Sequence, residues 1–409
     1  MNKPRPPLRS LDEALAELLA HAQPPAAGDS VATFDADGRV LAQDLMSALQ
    51  VPPQDNSSMD GYALRCAEIA AEGVVLPVSQ RIAAGSAAQP LEPGSTARIF
   101  TGAPIPRGAD AVVMQEETEP AGEQFVRILS MPKPGQWIRR SGEDVTRGSV
   151  VLARGERLGP AALGLAASIG MDRLPVAARP RVALFSTGDE LVMPGEVPPD
   201  QMRPGSIYNS NRFFLRTLLQ RLGCSVTDFG IVPDRRDATV AALRRAAQDH
   251  DLILTSGGVS VGEEDHIKPA VQSLGSLDLW QIAIKPGKPF AYGRVGDAHF
   301  MGLPGNPVSS FVTFLLLVRP FLLKLQGAAR LTPHTFSLPA HFDWPQPDRR
   351  REFLRARHDG QGGLALFGNQ SSGVLTSTVW ADGLVDNPPG RAIAHGDAVQ
   401  FLPLAELLT

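Results

Sequence analysis

Residues 252–265 read Leu-Ile-Leu-Thr-Ser-Gly-Gly-Val-Ser-Val-Gly-Glu-Glu-Asp. A short run of buried-strand character passes straight into paired glycines, and the turn beyond them carries hydroxyls and acids. Such a unit belongs at the carboxyl end of a strand in an α/β sheet. The same rhythm extends in both directions. Residues 181–185 read as a buried strand, 211–222 as a helix capped by Asn209 or Ser210, and 225–232 as a strand. Residues 238–248 form the next expected helix and 252–255 the strand quoted above. A helix near 269–274, strands at 279–284 and 300–303, and a long apolar helix over 307–323 complete the series. Alternating strands and helices predict right-handed crossovers and a mostly parallel sheet covered on both faces.

Outside this block the texture changes. Ser10-Leu11-Asp12-Glu13 ahead of Ala14, Leu15, Leu18 and Leu19 predicts a capped amphipathic helix. From about 31 to 150 the chain shows short alternating runs broken by Gly and Pro, such as 74–78, 97–100 and 111–115, which read as a β-rich region. A helix is expected over 159–169, and short strands with Gly-rich turns return from about 326 to the end. A chain of 409 residues exceeds one core and points to several domains.

The composition excludes several classes. The net charge of −4 gives no general attraction to nucleic acid or to an anionic membrane. Cys66 and Cys224 are the only cysteines, without disulfide-framework or zinc spacing. Residues 1–10 carry Lys3, Arg5 and Arg9 with no apolar run behind them, unlike a secretory signal. The apolar stretch 311–318 is too short to span a bilayer. A reducing cytoplasm is the expected setting. The eight histidines are scattered without a zinc-type pair, and Walker, nucleophile-elbow and dinucleotide fingerprints are missing.

Chemistry gathers at four strand ends: Ser186-Thr187-Gly188-Asp189-Glu190, Pro233-Asp234, the 256–265 turn, and Pro304-Gly305-Asn306-Pro307. Gly257 and Gly258 let backbone N–H groups approach a phosphate, with Ser260 beside them, and the helix after each loop adds a positive dipole end. A tight turn needing φ > 0 is the plain alternative for each glycine pair. Glu190, Asp234 and Asp265 belong on the same rim. Carboxylates beside a phosphate repel it unless a cation mediates, and Mg²⁺ takes both kinds of oxygen. Helix capping is the alternative for each acid singly. Lys285-Pro286-Gly287-Lys288-Pro289 holds two lysines in a stiff loop, suited to an oxyanion or phosphate. In the β-rich region, 55–62, 101–104 and 139–144 are small, polar loops that read equally as turns.

The strings Asp55-Asn56-Ser57-Ser58-Met59-Asp60-Gly61-Tyr62-Ala63, Thr255-Ser256-Gly257-Gly258-Val259-Ser260-Val261-Gly262, Lys285-Pro286-Gly287-Lys288-Pro289 and Gly302-Leu303-Pro304-Gly305-Asn306-Pro307-Val308-Ser309 together resemble the MoeA family, the molybdopterin molybdenumtransferases related to the gephyrin E domain. The resemblance runs the length of the chain, including Asn369-Gln370-Ser371-Ser372-Gly373-Val374-Leu375. It implies a multidomain α/β plus β protein. Its expected parts are an N-terminal helix over 1–27, a linker and dimerisation domain from 28–50 and 148–178, and a β-rich lasso domain over 51–147. A molybdopterin-binding-like α/β domain follows over 179–327 and a small, barrel-like β-domain over 328–409.

The resemblance further implies an elongated homodimer whose active site lies between the α/β domain of one subunit and the lasso domain of the other. It implies that adenylated molybdopterin and molybdate become molybdenum cofactor and AMP with a divalent cation. Transient contact with a molybdopterin adenylyltransferase and with molybdoenzyme chaperones is expected too. By position, Asp60, Thr101, Asp144, Glu190, Asp234 and Asp265 resemble the family's functional polar residues, and Lys285 and Lys288 its anion contacts. Arg351 and Ser372 would complete the molybdate site with Pro304 and Pro307. Two departures stand out. Asn209 replaces an Asp common in the family, and Gln54 replaces an aromatic residue. An adenylyltransferase acting one step earlier is a rival reading, opposed by the long β-rich N-terminal part. A gephyrin-like scaffold is another, opposed by the acidic rim.

Overall fold

The computed structural model describes residues 8–24, 28–258 and 266–408. At its centre lies a six-stranded sheet in the order Ser225–Val232, Arg181–Thr187, Leu252–Ser256, Ala298–Leu303, Pro289–Val295 and Gly275–Gln281. The first four strands are parallel, as the βα alternation demands; Pro289–Val295 runs against them, and Gly275–Gln281 pairs antiparallel with it at the edge. The sheet is therefore mixed. The strand expected over 279–284 sits earlier, at Gly275–Gln281, and Pro289–Val295 is a strand the sequence reading did not assign.

Residues alternate between the two faces with the period of a strand. Val182, Leu184, Leu252 and Leu254 enter one core, together with Leu215, Leu218 and the apolar helix that follows Leu303. Ala183, Phe185 and Ile253 enter the other, under Leu243, Ala246, Ile267 and Ala270. Each fully buried large side chain contributes about 1.5–3 kcal/mol relative to exposure.

The N-terminal helix Leu11–His21 is closed by a capping box. The Ser10 hydroxyl accepts from the Glu13 N–H, and the Glu13 carboxylate accepts from the Ser10 N–H. Its buried face, Leu11, Ala14 and Leu18, joins the first core. The closing apolar helix is longer than the 311–318 stretch, running 307–325 with a π-helical segment at Phe314–Val318. Pro320, lacking an N–H, follows that segment, which fits the loosened hydrogen bonding there. By length and hydropathy this helix would cross a bilayer, yet 89% of its apolar window is buried inside the protein. It is a core helix.

A second six-stranded sheet, Ala111–Met114, Gly61–Leu64, Thr96–Ile99, Val75–Ile82, Phe125–Ile128 and Thr118–Pro120, builds the β-rich region with small cores on both faces. Between it and the α/β sheet, Ala36, Leu41, Leu45, Val145, Leu158, Leu174 and Val176 form a core from two separate chain segments. The C-terminal sheet combines Arg351–His358, Gly383–Asn387, Ala398–Pro403 and Phe336–Pro339. Its edge is Ile284–Lys285, lent by the α/β region and paired in parallel with Arg351 and Glu352.

Candidate active site

The carboxyl ends of four parallel strands converge on a cleft of about 790 Å³. Thr187, Gly188 and Glu190 follow the first strand and Asp234 the second. Ser256, Gly257 and Gly258 follow the third, while Pro304, Gly305, Asn306 and Pro307 open the apolar helix. Two helix N-termini face this space, at Ser210–Asn211 and at Asn306–Pro307, and supply the positive dipole ends that anions favour. Gly373 and Leu375 close the cleft from the C-terminal region.

Local geometry explains the glycines. Gly257 and Gly258 have φ of +92° and +69°, and a Cβ on Gly258 would meet Ile267 Cγ1 at 2.5 Å. The turn demands glycine here whatever it binds. Gly305 differs, since nothing lies within 4 Å of where its Cβ would stand. The Glu190 carboxylate lies over Gly188, where a Cβ would come within 2.5 Å of Glu190 Oε2.

Asn211 ties two of the loops together. Its buried amide Nδ2 donates to Ser256 Oγ and to the Gly305 carbonyl, both at 2.7 Å. Asn209, 1% exposed, accepts from the Arg212 N–H through Oδ1, so it caps the helix. Its Nδ2 has no partner among the described residues although it is buried at the cleft wall. Ser186 Oγ and Thr255 Oγ1, near the same strand tips, are likewise buried without partners. Among the described residues the site thus holds buried polar groups without partners.

The structure gathers Glu190, Asp234, Gly257, Gly258, Pro304, Gly305, Asn306 and Pro307 into this one cleft. Ser260 and Asp265 lie outside the described residues, and His266 holds the N-cap position of the helix Ile267–Leu274. Ser372 sits at the rim, its carbonyl accepting from the Val308 N–H at 3.0 Å. Lys285 does not line the cleft. Because its strand pairs with the C-terminal sheet, its ammonium meets Glu352 at 3.2 Å and Asp348 at 3.5 Å. Lys288 has no ion-pair partner among the described residues. Arg351 is also held elsewhere, by both oxygens of Asp386 and by Asp12, away from the cleft.

The N-terminal polar loops meet one another instead. Asp60 Oδ1 accepts from the Thr101 N–H and hydroxyl, each at 2.8 Å. The Thr101 backbone N–H first, then its hydroxyl, holds the Asp60 carboxyl below the ordinary carboxylate range. Ser57 pairs with Ala103 and Gly102, and Asp55 binds Arg140 and Ser141. Asp144 is exposed beside this cluster. None of Asp60, Thr101 and Asp144 lines the cleft of its own chain.

Sequence reasoning passed over Ser309, a lining residue, and Asn211, named only as a helix start. It also passed over Arg355, 1% exposed behind the loop that carries Ser372 and Gly373. Arg355 donates to the Phe353 carbonyl at 3.0 Å and Ser377 Oγ at 3.2 Å, and no carboxylate reaches it among the described residues. Its signal was an arginine within the short, otherwise apolar stretch Phe353-Leu354-Arg355-Ala356 of a strand.

An α/β unit with its anion cleft at the strand tips defines a phosphate-ligand domain, and residues 183–324 match the model of a probable molybdopterin binding domain. Residues 9–170 match the MoeA N-terminal region (domain I and II), and 337–404 match the MoeA C-terminal region (domain IV). The chain belongs to the MoeA family. The molybdopterin molybdenumtransferase of Haemophilus influenzae is 39% identical over 407 residues, covering 98% of this chain and 99% of that protein. The protein of that name from Bacillus subtilis is 33% identical over 411 residues, covering 97% and 94%. The crystal structure of the molybdopterin biosynthesis moeA protein from Pyrococcus horikoshii OT3 superposes with a TM-score of 0.83 at 28% identity, covering 97% of this chain and 100% of that one.

Proposed function

We propose that this chain is a molybdopterin molybdenumtransferase, taking molybdate and adenylated molybdopterin as substrates and releasing AMP and molybdenum cofactor. The observation that carries the reading is the single cleft where glycine turns, two helix N-termini, Glu190 and Asp234 converge. Cleaving a phosphoanhydride requires in-line positioning more than a covalent nucleophile, and this wall of amides, hydroxyls and backbone N–H groups is built for positioning.

Mg²⁺ fits the donor set. Glu190 and Asp234 offer hard carboxylate oxygens beside the phosphate cradle, and no three His, Cys, Asp or Glu groups among the described residues are close enough to hold a metal unaided. The remaining donors are substrate phosphate and Asp265. Bound there, the ion neutralises phosphate charge. In this reading Lys288, Ser372 and the buried charge of Arg355 serve molybdate, with Lys285 steadied by Asp348 and Glu352.

The finer architecture belongs to the same reading: a linker domain, a lasso domain and a barrel-like C-terminal domain. The pair is a homodimer in which Asp60, Thr101 and Asp144 reach the partner's cleft. Phe34, 97% exposed, and the apolar, half-exposed helix Pro160–Ser168 support a covered face in the linker region. The free thiols Cys66 and Cys224 support a reducing cytoplasm. Adenylyltransferase and molybdoenzyme chaperones are the proposed transient partners, with nucleic acid and membrane excluded on charge.

The decisive experiment incubates the purified protein with adenylated molybdopterin, Mg²⁺ and increasing molybdate. Molybdate-dependent AMP release is expected. ATP-dependent adenylation of the pterin, or no AMP at all, overturns the reading.

A further inference from the structure

On the β-rich sheet, three neighbouring strands set Tyr62, Arg98 and Arg81 side by side, Tyr62 opposite Arg98 and Arg98 opposite Arg81. Phe100 lies at the end of the middle strand. The Arg81 guanidinium sits 4.4 Å from the centroid of the Phe100 ring and that of Arg98 4.7 Å from the same ring. Arg98 also lies 5.1 Å from the centroid of the Tyr62 ring. Two cations thus share one aromatic ring.

No carboxylate forms an ion pair with either arginine among the described residues. Arg98 donates only to neutral oxygens, the Gly61 carbonyl at 3.1 Å and Gln115 Oε1 at 2.6 Å. Arg81 is exposed and makes no hydrogen bond among the described residues, so its planar fork of donors is held by stacking but left free. Exposed cation–π contacts are worth only about 0.5–1 kcal/mol, too little to explain crowding two like charges on one ring. An anion arriving at the surface removes that conflict, and guanidinium edges suit phosphoryl oxygens.

The location gives the anion an identity. Phe100 directly precedes Thr101, and Asp60 directly precedes Gly61, whose carbonyl takes the Arg98 bond. The arginine–aromatic row and the Asp60–Thr101 pair are therefore one continuous surface. We propose that Arg81 and Arg98, aligned by Phe100 and Tyr62, form a platform that binds a phosphoryl group of the adenylated substrate next to Asp60 and Thr101. This rests on the transferase reading and on delivery of that surface to a partner's cleft. Arg81 is the contact residue, and Arg98 both contacts the anion and positions the Gly61 turn.

The test is steady-state AMP release by Arg81→Ala, varying adenylated molybdopterin and molybdate separately. Loss of one charge-assisted phosphate contact raises KM for the pterin about tenfold, with a far smaller change in kcat and an unchanged KM for molybdate. Arg221→Ala, removing an exposed arginine at the carboxyl end of the helix that begins at Asn211, away from the cleft, serves as the control for general electrostatic steering. An unchanged pterin KM, a rise confined to molybdate, or an equal rise in the Arg221→Ala control overturns the platform while leaving the transferase reading intact. A parent protein that releases no AMP sinks both together.

Discussion

Arg355 is the largest side chain the fold buries completely, and it is charged. Burial lowers its pKa to about 10, still far above neutrality, so the guanidinium stays a cation at pH 7. A buried cation facing two carbonyls, of Phe353 and Ser371, and the Ser377 hydroxyl costs several kcal/mol unless something negative compensates it. An anion at the adjoining Ser372–Gly373 wall would do so. Replacing Arg355 with Met keeps volume and removes the charge. The melting temperature is then expected to hold within a few degrees while KM for molybdate rises by about tenfold or more. A large loss of stability with an unchanged molybdate KM would assign Arg355 to packing alone. Asp60 makes a second residue-scale case. Its lowered pKa keeps it ionised to more acidic pH than an ordinary carboxyl, and the Thr101 hydroxyl is the second cause after the Thr101 N–H. Thr101→Val keeps the N–H and loses the hydroxyl, so the Asp60 pKa rises part of the way back. The acid limb of kcat/KM should move to higher pH, and a pH profile that does not shift would remove Asp60 from the titrating step.

At the scale of elements, two glycines of one cleft separate folding from binding. Gly257→Ala places a Cβ 2.8 Å from the Thr187 carbonyl on backbone with φ of +92°, so thermal melting should fall clearly. Gly305→Ala meets no atom within 4 Å and should leave melting unchanged. If substrate backbone approach is what Gly305 permits, its alanine variant raises KM instead. A normal KM would make Gly305 an ordinary loop residue. The parallel strands and their helices were legible because period-two and period-3.6 patterns persist wherever an element is buried on one side or both. The strand Pro289–Val295 was not. It opens on proline and contains Gly293, where a Cβ would stand 2.1 Å from the Ser276 carbonyl of the neighbouring strand. Close backbone approach demanded a residue that sequence patterns count as a breaker. The ion pair of Lys285 was hidden for a related reason. Its local Pro/Gly frame was visible, but its pairing with Glu352, 67 positions away, was not. Likewise the rim contact from Val308 to Ser372 depends on how separate regions dock.

For the whole molecule, the unresolved step of the chemistry is spatial. Asp60 and Thr101 form one prepared cluster, Glu190 and Asp234 another, and the two do not share a cleft within a chain. If both serve one reaction, a second copy must bring the first cluster to the second. The exposed Phe34 and the apolar helix Pro160–Ser168 mark the face where copies would meet. Closed two-fold symmetry then creates two equivalent composite sites. Asp60→Asn and Glu190→Gln should each abolish AMP release alone. Co-assembled in equal amounts, half of the dimers are mixed, and each mixed dimer holds one site with both wild-type clusters and one with neither. Activity should recover to about one quarter of the parent's, by the symmetry of a two-fold assembly. Sites contained within single chains would give no recovery at any ratio, because every cleft would still lack one of its carboxylates.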